Sequence, residues 1–205
     1  MTINPISGNI NPSLTLLHPH PLLKNQFSLI TGPARSGKSE WAEYLAQNSG
    51  QSVMYLATST IDSSDSEWIS RIEQHRQRRP AHWTTLEVPV ELATALRLHA
   101  SPQTCLLVDS LGTWVANLLE LDNARWNSTL SDLVLTISQT PGQLIFVAEE
   151  TGWGVVPAYP IGRLFRDRLG TLTRQLGARA QAVYLVTGGH VLNLSLLGNK
   201  LPFSK

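Results

Sequence analysis

Three stretches of this sequence carry residue types whose spacing can do phosphate chemistry. The first is Gly32-Pro33-Ala34-Arg35-Ser36-Gly37-Lys38-Ser39, a match to G-x-x-x-x-G-K-[ST]. It lies between an apolar run, Phe27 to Thr31, and a stretch with helical spacing, which is the context that makes a phosphate-binding P-loop. The glycines let the backbone wrap around phosphates, and the amide groups and helix N-terminus attract their charge. Lys38 would reach the terminal phosphates of a nucleotide, and the Ser39 hydroxyl would ligate Mg²⁺.

The second stretch ends in Asp109, after the apolar run Cys105-Leu106-Leu107-Val108. An acid there can organise the same metal near Ser39. It can also cap the helix that follows, and the two roles can coexist. The third is Arg71-Ile72-Glu73-Gln74-His75-Arg76-Gln77-Arg78-Arg79-Pro80, with four arginines and one histidine within nine positions. Arginines bind phosphate bidentately. A neutral His75 among them can attack phosphorus and form a phosphoramidate, and neighbouring positive charge favours the neutral form. The same pattern fits a solvated basic helix end, with His75 merely favourable near a C-terminus.

Other candidates carry less. His18 and His20 lie in a stretch rich in Asn, Pro and Ser and lack further metal ligands. His82, His99 and His190 have no partner spacing and read as surface or packing residues. Arg163, Arg166 and Arg168 follow a Gly/Pro loop at 151–160. They can hold an anionic substrate, or pair with Asp167, Glu149 and Glu150.

The elements that must position these residues follow from periodicity. Residues 1–24 show no period and read as a poorly ordered extension, leaving 25–205 as a single domain. Strands are expected at Phe27–Thr31, Val53–Ala57, Thr84–Glu87, Cys105–Asp109, Gln143–Ala148 and Ala182–Val186. Helices are expected at Ser39–Gln47, from Asp65 to about Gln77 (with Trp68, Ile69 and Ile72 on one face), from Pro89 through Leu96, from about Thr113 to Leu121, from about Ser128 to Ser138, and over 161–179. Short apolar strands alternating with helices predict an α/β fold, with a mainly parallel central sheet and helices on both faces. In such sheets ligands bind at the carboxyl ends of the strands, where the loops after Thr31, Ala57, Asp109 and Ala148 lie.

Composition narrows the classes. The chain has 205 residues and 42% hydrophobic content, enough for a buried core. Lys+Arg of 16 against Asp+Glu of 15 gives a net charge of +1, which argues against nucleic-acid binding driven by bulk charge. Charged residues make up only 15%, which is compatible with surface covered by a partner subunit. One cysteine, Cys105, excludes an internal disulfide or a thiolate cluster. No apolar run reaches membrane-spanning length, and the first residues lack the pattern of a secretory signal, so a cytoplasmic location is expected.

With these residues in view, the chain resembles the bifunctional adenosylcobinamide kinase/adenosylcobinamide-phosphate guanylyltransferase family of cobalamin synthesis. The resemblance starts at Ala34-Arg35-Ser36-Gly37-Lys38-Ser39 and continues through Tyr55-Leu56-Ala57-Thr58, Asp65-Ser66-Glu67-Trp68, Arg71-Ile72, His75, Arg79-Pro80, Trp83, Thr85 and Glu87. Asp109, Leu111, Trp114 and Asn117 follow, then Gly152, Gly154, Val156 and Pro157, then Arg163, Phe165, Arg166, Asp167 and Gly170. The match runs from about residue 27 to 190, and the ordered set carries it rather than any one piece beyond the P-loop.

The resemblance implies two steps. The γ-phosphate of ATP or GTP goes to the hydroxyl of adenosylcobinamide's aminopropanol arm. GTP then guanylylates a histidine, here His75, and the GMP moves to the new phosphate to give adenosylcobinamide-GDP. It also implies GTP contacts from Gly32 to Ser39, from Ala57, Thr58 and Ser59, from Arg76, Gln77, Arg78 and Arg79, and from Glu87 and Asp109. Mg²⁺ would lie at Ser39 and Asp109, and the chain would form a homo-oligomer, commonly a trimer. The alternatives are a P-loop small-molecule kinase or a nucleotide-binding protein, neither with guanylyl transfer. The sequence departs from the family's usual residues at several places. Glu149-Glu150-Thr151-Gly152 stands for Asn-Glu-Val-Gly, Asp109-Ser110-Leu111-Gly112 for Asp-Cys-Leu-Thr, Thr173-Arg174 for Asn-Gln, and Trp68 for Met.

Overall fold

A computed structural model describes residues 26–60 and 77–201. The expected tail at 1–24 with His18 and His20, almost all of the expected 65–77 helix, and Arg71, His75 and Arg76 lie outside the described residues. The strands are β1 (Gln26–Gly32), β2 (Ser52–Ala57), β3 (Thr84–Glu87), β4 (Thr104–Asp109), β5 (Gln143–Glu149), β6 (Ala182–Thr187) and β7 (His190–Asn193). The helices are α1 (Lys38–Gln47), α2 (Leu92–His99), α3 (Leu111–Asn117), α4 (Asn123–Gln139), α5 (Pro160–Arg179) and the short α6 (Leu194–Leu197).

The seven strands form one sheet in the order β3-β2-β4-β5-β1-β6-β7. All neighbouring pairs are parallel except β6 with β7. Alternation along each strand divides the apolar residues between two layers. On one face, Phe27 and Leu29, Leu106 and Val108, and Leu144 and Phe146 pack with α2, α3, α4 and α5. On the other, Ile30, Cys105, Leu107, Ile145 and Val147 pack under α1. That helix presents Ala42 and Ala46, one turn apart and both fully buried, so its backbone can lie close to the sheet.

Several boundaries differ from the sequence expectation. Pro89 does not open a helix: α2 starts at Leu92 with Glu91 at its N-cap position. The helix expected from Thr113 begins two residues earlier, at Leu111, because Ser110 caps it by accepting from the Thr113 amide. That assigns the cap to Ser110 and leaves Asp109 free of it. The α4 helix starts at Asn123 rather than Ser128, with Asp122 accepting from the Arg125 amide. The hairpin from β6 to β7 was not expected. Its turn is Gly188-Gly189, with φ of 57° and 75°, the left-handed pair that a tight hairpin requires and that glycine adopts without penalty.

The arginine cluster on α5 also resolves. Arg168 is 4% exposed and donates to the carbonyls of Leu118, Leu119 and Leu121 at 2.9, 3.4 and 2.6 Å, with its guanidinium over the Trp126 ring. It thereby gathers the carbonyls of the turn that follows α3. Arg163 donates to Pro157 and Ala158 carbonyls, and Arg166 lies 3.7 Å from Asp167.

Two predictions follow from this packing. Arg168→Met keeps the aliphatic stem but removes the donors, and should cost about 1–3 kcal/mol of stability in urea unfolding. Burial pushes the Cys105 thiol up to about 12. A disulfide-exchange reagent near neutral pH should therefore find no reactive thiol in the native protein and one after denaturation.

Candidate active site

Strand order decides which loops meet. Although β5 follows β4 in sequence, it pairs with β4 on one side and β1 on the other. The carboxyl ends of β2, β4, β5 and β1 therefore stand in a row. Register sets their heights: Ala57 is level with Asp109, Asp109 with Val147, and Glu149 with Gly32. A cavity of about 600 Å³ opens above this row. The segment Ala34 to Ser39 forms one wall, and of the other expected residues Ala57, Ser59, Arg78, Arg79 and Asp109 line the cavity as well. Glu40, Tyr55, Ser110, Thr113 and Glu149 also line it, and these the sequence reading did not include.

The P-loop geometry follows from its residue types. Gly37 has φ of 91° at the N-cap of α1, and Arg35 also sits in the left-handed region at 58°. This winding turns backbone amides toward the cavity, the arrangement that binds anions. Gly32 supports the loop from below: a Cβ there would collide with the Val186 carbonyl and with Ser36 Oγ. Lys38 is 9% exposed and its ammonium donates to the Pro33 carbonyl at 3.3 Å. The side chain thus bends back over the loop toward the space where phosphates would lie.

Across the cavity, Tyr55 Oη donates to Asp109 Oδ2 at 3.1 Å. Burial, and then the Asp109 charge, hold the Tyr55 hydroxyl well above its ordinary range, so it stays a donor. The Arg79 guanidinium stacks on the Tyr55 ring, 3.7 Å from its centroid, and donates to Thr85 Oγ1 at 3.0 Å. Arg78 donates to Glu40 at 2.9 Å and lies 3.8 Å from Glu43. Burial raises the Glu43 carboxyl while Arg78 opposes it. Burial likewise raises the Glu149 carboxyl, against the nearby Ser110 hydroxyl and the charge of Lys38.

Other expected contacts serve the framework. Thr58 is fully buried: its hydroxyl donates to the Ser110 carbonyl at 2.7 Å and accepts from the Ser110 amide at 2.9 Å. Asn117 Nδ2 then donates to the carbonyls of Thr58 and Pro89 at 2.7 and 2.9 Å. These bonds tie the loops after β2, β3 and β4 together. Glu87 ends β3 and is exposed, as is Gln77, and neither lines the cavity; nor does Thr58, Pro33 or Gly32. Arg163, Arg166 and Arg168 also stay outside it. Glu150 pairs with none of them; it accepts from Thr31 Oγ1 at 2.6 Å. His82, His99 and His190 do not line the cavity either.

Three departures from the resembled pattern prove to be neighbours. Ser110 lies close enough to the Glu149 carboxyl to favour its charged form, and a Cβ on Gly112 would collide with Glu149 Oε2. A longer acid at 149, a hydroxyl at 110 and an absent side chain at 112 form one packing unit.

The family's sequence pattern, described as cobinamide kinase / cobinamide phosphate guanyltransferase, matches residues 28–194. This chain belongs to that family. A bifunctional adenosylcobalamin biosynthesis protein of Pseudomonas aeruginosa is 43% identical over 174 residues, covering 84% of this chain and 98% of that protein. Proteins of Escherichia coli and Salmonella typhimurium with the same description are 38% and 36% identical, each covering 78% of this chain and 95% of theirs. Among solved structures, a Pyrococcus horikoshii OT3 protein superposes with a TM-score of 0.51 at 9% identity, covering 84% of this chain and 88% of its own. At that identity the likeness shows the fold.

The site makes one direct prediction. Hydrogen bonds to a charged group contribute about 1.5–3 kcal/mol, so Lys38→Ala should weaken GTP binding roughly ten- to hundredfold by calorimetry while leaving the fold intact.

Proposed function

We propose that this chain phosphorylates adenosylcobinamide with a nucleoside triphosphate and then transfers GMP from GTP to the new phosphate. The observation that carries the reading is the cavity over β1, β4 and β5, in which a wound P-loop with Lys38 and Ser39 faces Asp109. Family membership and the relatives' description as bifunctional adenosylcobalamin biosynthesis proteins supply the acceptor. The bare P-loop would suit many phosphoryl acceptors.

The hard oxygen donors Ser39 Oγ and the Asp109 carboxylate suit Mg²⁺, which takes few protein ligands and completes its shell with phosphate and water. Bound there, it would neutralise charge on the transferring phosphoryl group. Lys38 and the loop amides would hold the β- and γ-phosphates, and Arg78, paired with Glu40 of α1, and Arg79, stacked on Tyr55, line the same cavity to meet negative charge. In the second step a neutral His75 nitrogen would attack the α-phosphorus of GTP and release pyrophosphate. The phosphate of adenosylcobinamide phosphate would then take the GMP and free the histidine. Support for His75 comes from its place in the arginine-rich segment and from the family resemblance. Gly32 to Ser39, Ala57, Ser59, Arg76, Arg78, Arg79 and Asp109 are the proposed nucleotide contacts, and Thr58, Gln77 and Glu87 would act from the flanks. ATP and GTP are both candidate phosphoryl donors.

The test is incubation with Mg²⁺ and α-labelled GTP, followed by denaturation. The expected result is protein-bound label that is acid-labile, alkali-stable and lost in His75→Ala, with GTP binding retained in that variant. Folded, GTP-binding parent protein that takes up no label would leave a simple kinase as the better reading.

A further inference from the structure

The loop that follows β5 presents large apolar side chains to solvent. Trp153, Val155, Val156 and Tyr159 lie in it, and Ile161 lies in the first turn of α5. All are exposed, Val155 at 95% and Tyr159 at 77%. Apolar surface concentrated in this way marks a binding face rather than ordinary exterior. The loop holds its shape: Arg163 donates to the carbonyls of Pro157 and Ala158 at 2.9 and 2.6 Å, and a Cβ on Gly162 would crowd the Pro157 ring. Both ends are tied to elements that border the cavity. Glu149, the last residue of β5, lines it, and the next residue, Glu150, donates its amide to the Gly32 carbonyl at the root of the P-loop. At the other end α5 packs on α3, whose first turn supplies Thr113 to the cavity.

We propose that the loop from Trp153 to Ile161 is the platform on which the corrin macrocycle of the acceptor rests, an assignment that builds on the function proposed above. Only the aminopropanol arm of adenosylcobinamide needs to reach the γ-phosphorus. A cavity of about 600 Å³ is the size that holds one small ligand, so with a nucleoside triphosphate in place the macrocycle lies outside it. The loop is the apolar surface that leads away from the cavity wall. Its chemistry also fits: a cobinamide ring carries methyl groups and neutral amide side chains. No side chain from Thr151 to Ile161 is charged, and Arg163 is engaged with the loop's own carbonyls. Apolar side chains would cover the ring methyls, while the Trp153 indole and Tyr159 hydroxyl bring donors for the amides. Binding energy gathered on this part of the acceptor, remote from the reacting oxygen, would hold the arm in line with the phosphate.

The experiment measures adenosylcobinamide binding by equilibrium dialysis, read by the corrinoid's visible absorbance, and phosphate transfer to it from γ-labelled nucleotide with Mg²⁺. The proteins are the parent, Trp153→Ser and Val155→Ser, each with its melting curve and sedimentation velocity. Loss of one large apolar contact should raise the corrinoid Kd and KM roughly tenfold for Trp153→Ser and about fivefold for Val155→Ser. Nucleotide affinity should stay within about twofold of the parent, because no nucleotide contact is removed. Val155 is so exposed that its replacement leaves the fold intact, which keeps the test decisive if Trp153→Ser is unstable. Corrinoid affinity unchanged in both variants overturns the platform and leaves the kinase reading standing. So does a fall in corrinoid affinity that comes only with dissociation of an assembly, which would make this face an interface between copies of the chain. A parent that neither binds nor phosphorylates adenosylcobinamide overturns both.

Discussion

The site depends on β5 being buried on both faces between β1 and β4. Leu144 and Phe146 point into one apolar layer, Ile145 and Val147 into the other. Parallel hydrogen bonding to both neighbours satisfies the backbone of a strand that water does not reach. With β5 in that slot, the P-loop and Asp109 stand one strand apart on either side of Glu149. An ionic or polar residue within 144–147 would disturb both layers and the spacing together.

The loops above the sheet are fixed by hydrogen bonds. Thr58 and Ser110 exchange two bonds, Asn117 collects the carbonyls of Thr58 and Pro89, and Trp114 Nε1 donates to the Val90 carbonyl at 2.8 Å. The cavity floor is thereby set before any ligand arrives. Electrostatic stabilisation of phosphoryl transfer needs that preorganisation, since donors that must reorient lose part of their effect. Arg79 on Tyr55, and Tyr55 on Asp109, extend the same order to the cationic rim.

Much of this was legible in the sequence, for identifiable reasons. The strands β4 and β5 are apolar at every interior position, so their existence and burial could be read directly. The P-loop announces itself through glycine and lysine spacing, and Asp109 through its place at a strand end. Local signals failed where a short polar side chain did the positioning. Ser110 moved the start of α3, and Asp122 moved the start of α4. The β6–β7 hairpin was missed although Gly188-Gly189 marks it, because β7 is short and largely exposed. The loop after Ala148 reads from the sequence as lying at the ligand end of the sheet, but the packing of Glu149 against Gly112 was not legible, since only strand order brings the two together. Arg168 was misjudged for a similar reason: its partners are carbonyls some fifty positions away, which charge patterning does not reveal.

The central claim is that one cavity, between the P-loop and Asp109 above the ends of β1, β5 and β4, receives the nucleotide phosphates. A crystal structure of this chain with Mg²⁺ and a non-hydrolysable GTP analogue tests it most directly. The account predicts phosphates wrapped by the amides of residues 34–39, with Lys38 on the terminal groups and the metal between Ser39 and Asp109. Phosphates bound away from that loop, or a metal held without either residue, would contradict it.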